Sequence, residues 1–166
     1  MPSDPATLPA VDDAARRAAI VEHLTWEGID LDRSHAMYTD DAILEFPQSG
    51  ERFIGVGQFR EWRERYPADK VDKRIRRITG SGEHWVTEII LSYDGEPWTF
   101  ALSIDQFRGD RIARQIIYVF DGWDAPEWRA PWGTLFNPHA SIEPAEYVDG
   151  EPFGLEADLT RTVAER

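Results

Sequence analysis

The fold of this chain is decided by four consecutive runs of sequence: KVDKRIRRITG (70–80), EHWVTEIILSYDG (83–95), PWTFALSIDQFRGD (97–110) and RIARQIIYVFDGW (111–123). Each run is rich in β-branched and aromatic residues, which favour strands. Glycine-containing turns separate the runs, and connections this short join antiparallel neighbours rather than parallel ones. The pattern therefore predicts a meander of four antiparallel strands.

The sequence before residue 70 predicts three helices and one short strand. Apolar residues recur every three to four positions over 13–26 and 31–39, and the run AILEF predicts a strand over 42–46. The third helix covers 55–66 and carries an aromatic stripe at helical spacing: Phe59, Trp62 and Tyr66. Helices followed by a meander predict an α+β fold class.

The 166 residues are enough for one domain. Residues 1–12 are predicted to form a flexible N-terminal arm, 13–130 the folded domain, and 131–166 a Pro- and acid-rich extension with one short helix at 155–164. The segment GWDAPEWRAPWG (122–133) could cover a pocket, cap the core or pack across a dimer. Sequence leaves these three roles open.

Acidic residues outnumber basic ones by 31 to 18, which gives a formal net charge of −13. Such a surface repels phosphate and anionic lipid on average, so neither nucleic acid nor membrane is a predicted partner. No apolar run approaches the roughly 20 residues of a membrane helix. The first residues also lack the apolar core of a signal peptide, so a cytoplasmic location is predicted.

The chain has no cysteine, and its four histidines have unrelated spacings: His23, His35, His84 and His139. No HExxH, Walker or GxGxxG motif is present, so no metal site and no cofactor are predicted. His23 on the first helix either reaches the pocket or lies on the helix surface, and we expect the surface position.

Three quoted motifs together resemble a known family: YTDDAILEFP (38–47), GVGQFREW (55–62) and GDRIARQIIYVFDGWD (109–124). Their order is similar to that of the SnoaL-like branch of the nuclear transport factor 2-like superfamily, which includes polyketide cyclase-like and ketosteroid isomerase-like proteins. The resemblance covers about 13–130. It implies a cone-shaped, barrel-like fold in which three N-terminal helices pack in a curved, mostly antiparallel sheet. It also implies an apolar pocket and a homodimer formed by the outer sheet face.

Only some of the functional residues of these proteins have a matching residue in this sequence. The isomerase base falls at Phe46, which cannot act as one, whereas SIDQFRG matches the motif of an isomerase oxyanion donor at Asp105. The catalytic aspartate of limonene-epoxide-hydrolase-like members aligns with Tyr118, and the acidic group of the cyclases lies near Asp121. The resemblance thus suggests Asp105, Tyr118 and Asp121 as catalytic candidates, although no characterised constellation is intact.

Strand alternation refines these candidates. If Asp105 points inward, Ser103 does too, and burial would raise the pKa of Asp105; the alternative is an exposed carboxylate paired with an arginine. Only one of Tyr118 and Asp121 faces the pocket unless the strand bulges. Glu88 is either an inward base or an outward ion-pair partner. The predicted ligand-binding residues are Tyr38, Phe46, Phe59, Trp62, Glu88 and Ser103.

Two functions are compatible with these observations. The first is a small-molecule pocket protein acting as a cofactor-free acid/base enzyme on an apolar substrate, of the isomerase, cyclase or hydratase/hydrolase type. The alternative is a non-catalytic ligand-binding or dimeric interaction module with a degenerate active site. The replacement of the isomerase base by Phe46 favours the alternative.

Overall fold

Three α-helices and one 3-10 helix are present in the part of the chain that this computed structural model describes, which is 12–136 together with the backbone of 157–158 and 161–162. Their bounds are α1 Asp13–Trp26, α2 Leu31–His35, α3 Val56–Arg63 and the 3-10 helix Glu127–Trp132. The carboxylate of Asp12 caps α1, and the carboxylate of Asp30 accepts a hydrogen bond from the Arg33 amide at 3.0 Å.

The expectation of a helix over 31–39 is wrong beyond His35. The chain turns at Ala36, and Tyr38 begins a strand instead. The Met37 carbonyl accepts a hydrogen bond from the Ile112 amide at 2.8 Å, so pairing with a distant strand overrides local helix propensity.

Eight strands of the described part of the chain form one mixed sheet. They are β1 Tyr38–Phe46, β2 Glu51–Ile54, β3 Lys70–Ser81, β4 His84–Tyr93, β5 Thr99–Arg108, β6 Arg111–Asp121, β7 Ala157–Asp158 and β8 Arg161–Thr162. The order is β2-β1-β6-β5-β4-β3-β7, and β8 also pairs with β3. The predicted antiparallel meander over β3 to β6 is confirmed, as is the α+β class.

Three sheet features differ from the sequence predictions. β1 lies parallel to β6, and β2 forms a hairpin with β1 that the sequence analysis missed. The short helix expected at 155–164 is wrong, because the described backbone there pairs with β3 as β7 and β8. No described helix has the length and apolar character needed to cross a bilayer.

One face of the sheet packs on the helices and forms the core. On β5 the inward residues Ala101, Ser103, Asp105 and Phe107 are buried, in agreement with strand alternation. The core around them consists mainly of Ile20, Leu24, Tyr38, Leu44, Phe59, Ile75, Ile78, Trp85 and Ile112. A bulge in β3 between Ile75 and Arg77 shifts the inward positions from odd to even numbers, so that Ile78 stays in the core.

Candidate ligand-binding site

A cavity of about 600 Å³ opens between the helices and the inner face of the sheet. Its sheet side is aliphatic and is formed by Val71, Ile89, Leu91, Ala101, Ile117 and Val119. These residues come from four adjacent strands and occupy the inward positions of each, so their side chains make one continuous apolar floor.

Five aromatic side chains line another side of the cavity, and we call them the aromatic arc: Phe46, Phe53, Trp62, Tyr66 and Tyr93. Successive ring centroids lie 6.3 Å apart from Phe46 to Phe53, 5.8 Å to Trp62, 6.1 Å to Tyr66 and 5.5 Å to Tyr93. These spacings are typical of interacting rings. The arc therefore presents a large, mostly apolar surface of contacting rings.

Three ionic side chains form what we call the charged end of the cavity: Glu27, Arg63 and Lys73. Glu27 Oε1 lies 3.2 Å from Arg63 Nη2, and Glu27 Oε2 lies 3.4 Å from Lys73 Nζ. Burial alone would raise the pKa of Glu27, but Lys73 and Arg63 outweigh it and lower the pKa to about 2. Burial lowers the pKa of Lys73, and Glu27 partly offsets this. Glu27 is therefore an ionised group and a weak base.

Arg63 also contacts polar groups of α2 and β1. Its Nη1 donates to the Tyr38 hydroxyl at 3.5 Å and to His35 Nε2 at 3.4 Å. The Tyr38 hydroxyl lies 3.2 Å from His23 Nε2. Both imidazoles donate from Nδ1 to a backbone carbonyl, to Leu31 for His35 and to Ser34 for His23. Burial lowers the pKa of His35, and it lowers that of His23 to about 4, so both rings are neutral at pH 7.

Behind Tyr38 the hydrogen bonds continue to a buried aspartate. The Tyr38 hydroxyl donates to Gln115 Oε1 at 2.6 Å, and Gln115 Nε2 donates to Asp105 Oδ1 at 2.9 Å. Ser103 also donates to Asp105 at 3.0 Å. Burial raises the pKa of Asp105 to about 6, although the two hydrogen bonds oppose that rise. We call this hydrogen-bonded series of side chains the polar row; it consists of Arg63, Tyr38, Gln115 and Asp105.

The structure distributes the predicted ligand-binding residues over three environments. Phe46 and Trp62 line the cavity. Tyr38 and Ser103 lie in or beside the polar row, and Phe59 is fully buried in the core. Glu88 lies on the outer sheet face opposite Arg77, because its neighbour Ile89 points into the cavity.

The three catalytic candidates do not lie together. Asp105 points inward and is only 2% exposed, so the alternative prediction of an exposed carboxylate paired with an arginine is wrong. Asp105 nevertheless lies outside the cavity lining. Tyr118 is on the outer face, because Ile117 and Val119 point into the cavity. Asp121 is exposed at the end of β6, where its Oδ1 accepts from the Thr99 hydroxyl at 3.2 Å.

Sequence reasoning missed most of the polar side chains of this site: Glu27, Arg63, Lys73 and Gln115. A signal existed for two of them. Lys73 alternates with Val71 and Ile75, and Gln115 alternates with Ile117, so both occupy inward positions. The expectation of a surface His23 is wrong, since its ring is buried against Tyr38. Within the described residues, no three His, Cys, Asp or Glu side chains are grouped as metal ligands.

Comparisons with known proteins agree with this architecture. No family model and no curated protein match the chain. A solved NTF-2 like protein of unknown function from Burkholderia xenovorans LB400 is 34% identical over 75% of this chain and 98% of its own, with a TM-score of 0.68. This chain belongs to the nuclear transport factor 2-like superfamily. The superfamily resemblance identified from the sequence is thereby confirmed.

Two solved structures of lower identity share the fold. A candidate ketosteroid isomerase from Kribbella flavida DSM 17836 is 17% identical and covers 76% of this chain and 93% of its own, with a TM-score of 0.68. A candidate SnoaL-like polyketide cyclase from Shewanella putrefaciens CN-32 is 12% identical and covers 72% and 93%, with a TM-score of 0.57. At these identities the similarity establishes the fold alone.

Proposed function

We propose that this superfamily member binds a small apolar molecule in the cavity between helices and sheet. The observation that carries the proposal is the cavity itself, whose volume of about 600 Å³ suits a small organic ligand. Its aliphatic floor and aromatic arc supply apolar contact, and its charged end supplies polar groups that can orient a ligand. The cone shape implied by the resemblance belongs to the same proposal, because the bulges in β3 and β6 favour a curved sheet.

The test is a titration with a panel of apolar carbonyl compounds and epoxides, followed by tryptophan fluorescence because Trp62 lines the cavity. Ala101→Phe fills the cavity floor, whereas Leu102→Phe adds the same ring to the adjacent residue on the outer face. We expect saturable binding that Ala101→Phe abolishes and Leu102→Phe preserves. Binding that both variants retain equally would place the ligand elsewhere and contradict the proposal.

A second candidate is cofactor-free acid/base catalysis of the isomerase, cyclase or hydratase/hydrolase type. Arg63 favours it, since a guanidinium in a largely apolar cavity can stabilise the oxyanion formed from a carbonyl compound. Glu27 weighs against it, because a carboxylate with a pKa of about 2 is a weak base at pH 7. Turnover of a bound carbonyl compound that falls at least tenfold in Asp105→Asn would support catalysis; binding without turnover would leave the non-catalytic function.

We also propose that two copies associate through the outer sheet face. Apolar side chains cover that face on β5 and β6, namely Phe100, Leu102, Ile104, Ile116, Tyr118 and Phe120. Phe120 remains 42% exposed, and its ring lies 6.0 Å from that of Phe100. We expect Phe120→Glu to convert a dimer to a monomer by light scattering, whereas Ile54→Glu, an exposed position on β2, does not. A wild-type protein that is monomeric at high concentration would refute this arrangement.

A further inference from the structure

The charged end of the cavity carries two positive charges and one negative charge. Lys73 directs its three donors to the Leu24 carbonyl at 3.0 Å, the Glu27 carbonyl at 2.6 Å and Glu27 Oε2 at 3.4 Å. The ammonium group has three N–H bonds, so these three contacts use all of its hydrogen-bond donors. Lys73 and Glu27 therefore neutralise each other and hold the end of α1 on β3, which leaves the charge of Arg63 in excess.

The donors of Arg63 are only loosely used. A guanidinium has five N–H bonds in a planar fork. The contacts of its Nη1, to Tyr38 and His35, are 3.5 Å and 3.4 Å long and involve neutral groups. Nη2 approaches Glu27 at 3.2 Å, and no hydrogen bond from Nε occurs among the described residues. The side chain is only 7% exposed and lines the cavity, so a polar group bound in the cavity lies within reach of these donors.

The other ionisable groups do not remove this excess at the charged end. His23 and His35 are neutral at pH 7 because burial lowers the pKa of each. Asp105 lies two hydrogen bonds beyond Tyr38 and outside the cavity lining. The remaining carboxylates of the lining are both exposed, and each has its own partner: Glu51 accepts from Ser49, and Glu64 pairs with Arg60 at 3.2 Å.

We propose that the ligand is a planar aromatic compound with one carboxylate, whose rings lie against the aromatic arc and whose carboxylate binds Arg63. The inference rests on the proposed binding function and specifies the ligand class. A carboxylate matches the fork of a guanidinium with two parallel hydrogen bonds, and aromatic rings in offset or edge contact match the arc. A neutral ligand would leave the donors of Arg63 unmatched in the cavity.

The test compares three probes of equal ring size: 2-naphthoate, 2-naphthamide and 2-naphthylmethylammonium. Calorimetric titration of the full chain should show that naphthoate binds at least tenfold more tightly than the amide. We expect the ammonium probe to bind most weakly. If the amide binds as tightly as the acid, or the ammonium probe binds best, the carboxylate inference fails while the binding function stands. If no probe binds, both fail.

Variants on α3 assign the preference to one side chain. Arg63→Gln should reduce the preference for naphthoate over naphthamide to less than threefold, and Arg63→Lys should retain part of it because the charge remains. Arg60→Gln is the matched control, since Arg60 lies on the same helix but pairs with Asp32 and Glu64 at the surface. A full preference retained in folded Arg63→Gln would overturn the assignment. If Arg63→Gln does not fold, the three probes on the wild type and Arg63→Lys still decide.

Discussion

Two carboxylates at opposite ends of the polar row behave in opposite ways. Glu27 pairs with Arg63 at one end, and Asp105 is the last residue at the other. Glu27 faces the cations Lys73 and Arg63, and its pKa falls to about 2. Asp105 accepts hydrogen bonds from the neutral donors Gln115 and Ser103, and burial raises its pKa to about 6. Both lie among apolar side chains, so burial raises the pKa in each case, and the neighbouring charge decides the outcome.

The comparison shows which end of the network can hold an anion and which can hold a proton. The Glu27 end has a surplus cation and suits a bound carboxylate. Among the described residues no cation pairs with Asp105, so Asp105 can take up a proton near neutral pH. The effects on stability are also opposite: Glu27 stabilises the fold above pH 4.5 and less as the pH falls towards 2, whereas ionisation of Asp105 costs stability as the pH rises.

The largest effect should come from removing a cation at the Glu27 end. Lys73→Met keeps the length of the side chain but removes the buried donor to the Leu24 and Glu27 carbonyls and one of the two cations that Glu27 faces. Breaking a buried ion pair from one side costs about 3–5 kcal/mol. We expect a loss of that size in the free energy of unfolding, measured by urea denaturation at pH 7.

The matched control is Lys70→Met on the same strand. Lys70 pairs with Asp72 at 2.8 Å, but its side chain is 41% exposed. Exposed pairs contribute about 0–1 kcal/mol. If Lys73→Met costs no more than Lys70→Met, the charged end is not the stabilising cluster described above.

The next effect concerns pH at the Asp105 end. Asp105→Asn keeps the oxygen that accepts from Gln115 and Ser103 but cannot ionise. The folded pKa lies above the ordinary value of 3.8, so the wild type has its full stability from this group below about pH 4 and loses it as the pH rises through about 6. A pKa difference of that size corresponds to roughly 3 kcal/mol.

We therefore expect the Asn variant to gain stability relative to the wild type between pH 4 and pH 7. Urea denaturation at both pH values measures the change. A difference between the two proteins that stays constant over this range would contradict the raised pKa of Asp105.

A smaller effect should follow from breaking the polar row at the hydrogen bond between Tyr38 and Gln115. Tyr38→Phe removes the donor to Gln115 Oε1 and leaves that buried oxygen without its 2.6 Å hydrogen bond. Such a loss costs about 1–3 kcal/mol. Tyr118→Phe on the outer face is the control, and we expect it to cost less than 1 kcal/mol. Equal losses in urea denaturation would mean that the Tyr38 hydroxyl adds nothing to the fold.

The sequence predicted those parts of the molecule that depend on local pattern. Strand alternation placed Ala101, Ser103, Asp105 and Phe107 on one face, and the structure buries all four. The turn glycines and β-rich runs gave the meander of β3 to β6. The aromatic stripe on the third helix also contained Trp62, which lines the cavity.

The charged end was not predicted, because it depends on contacts between distant segments. Glu27 follows α1, Arg63 ends α3 and Lys73 lies on β3, so three separate elements must pack before these residues meet. The parallel pairing of β1 with β6, which brings Tyr38 to Gln115, has no local sequence signal either. Local pattern identifies the face of a strand, whereas tertiary packing identifies the partner.

The smallest effect should come from a second cluster of one glutamate and two cations, which has the same arrangement of charges as the charged end but more exposed cations. Glu45 lies between Arg52 at 2.6 Å and Arg114 at 2.5 Å, as Glu27 lies between two cations. The Arg52 side chain is 59% exposed, and Glu45 keeps Arg114 when Arg52 is removed. Arg52→Gln should therefore lower the free energy of unfolding by less than about 1 kcal/mol, and high salt should reduce the difference further. Urea denaturation at low and high ionic strength measures both effects. A loss as large as that of Lys73→Met would show that the burial of the cations does not separate the two clusters, and the contrast between them would need another cause.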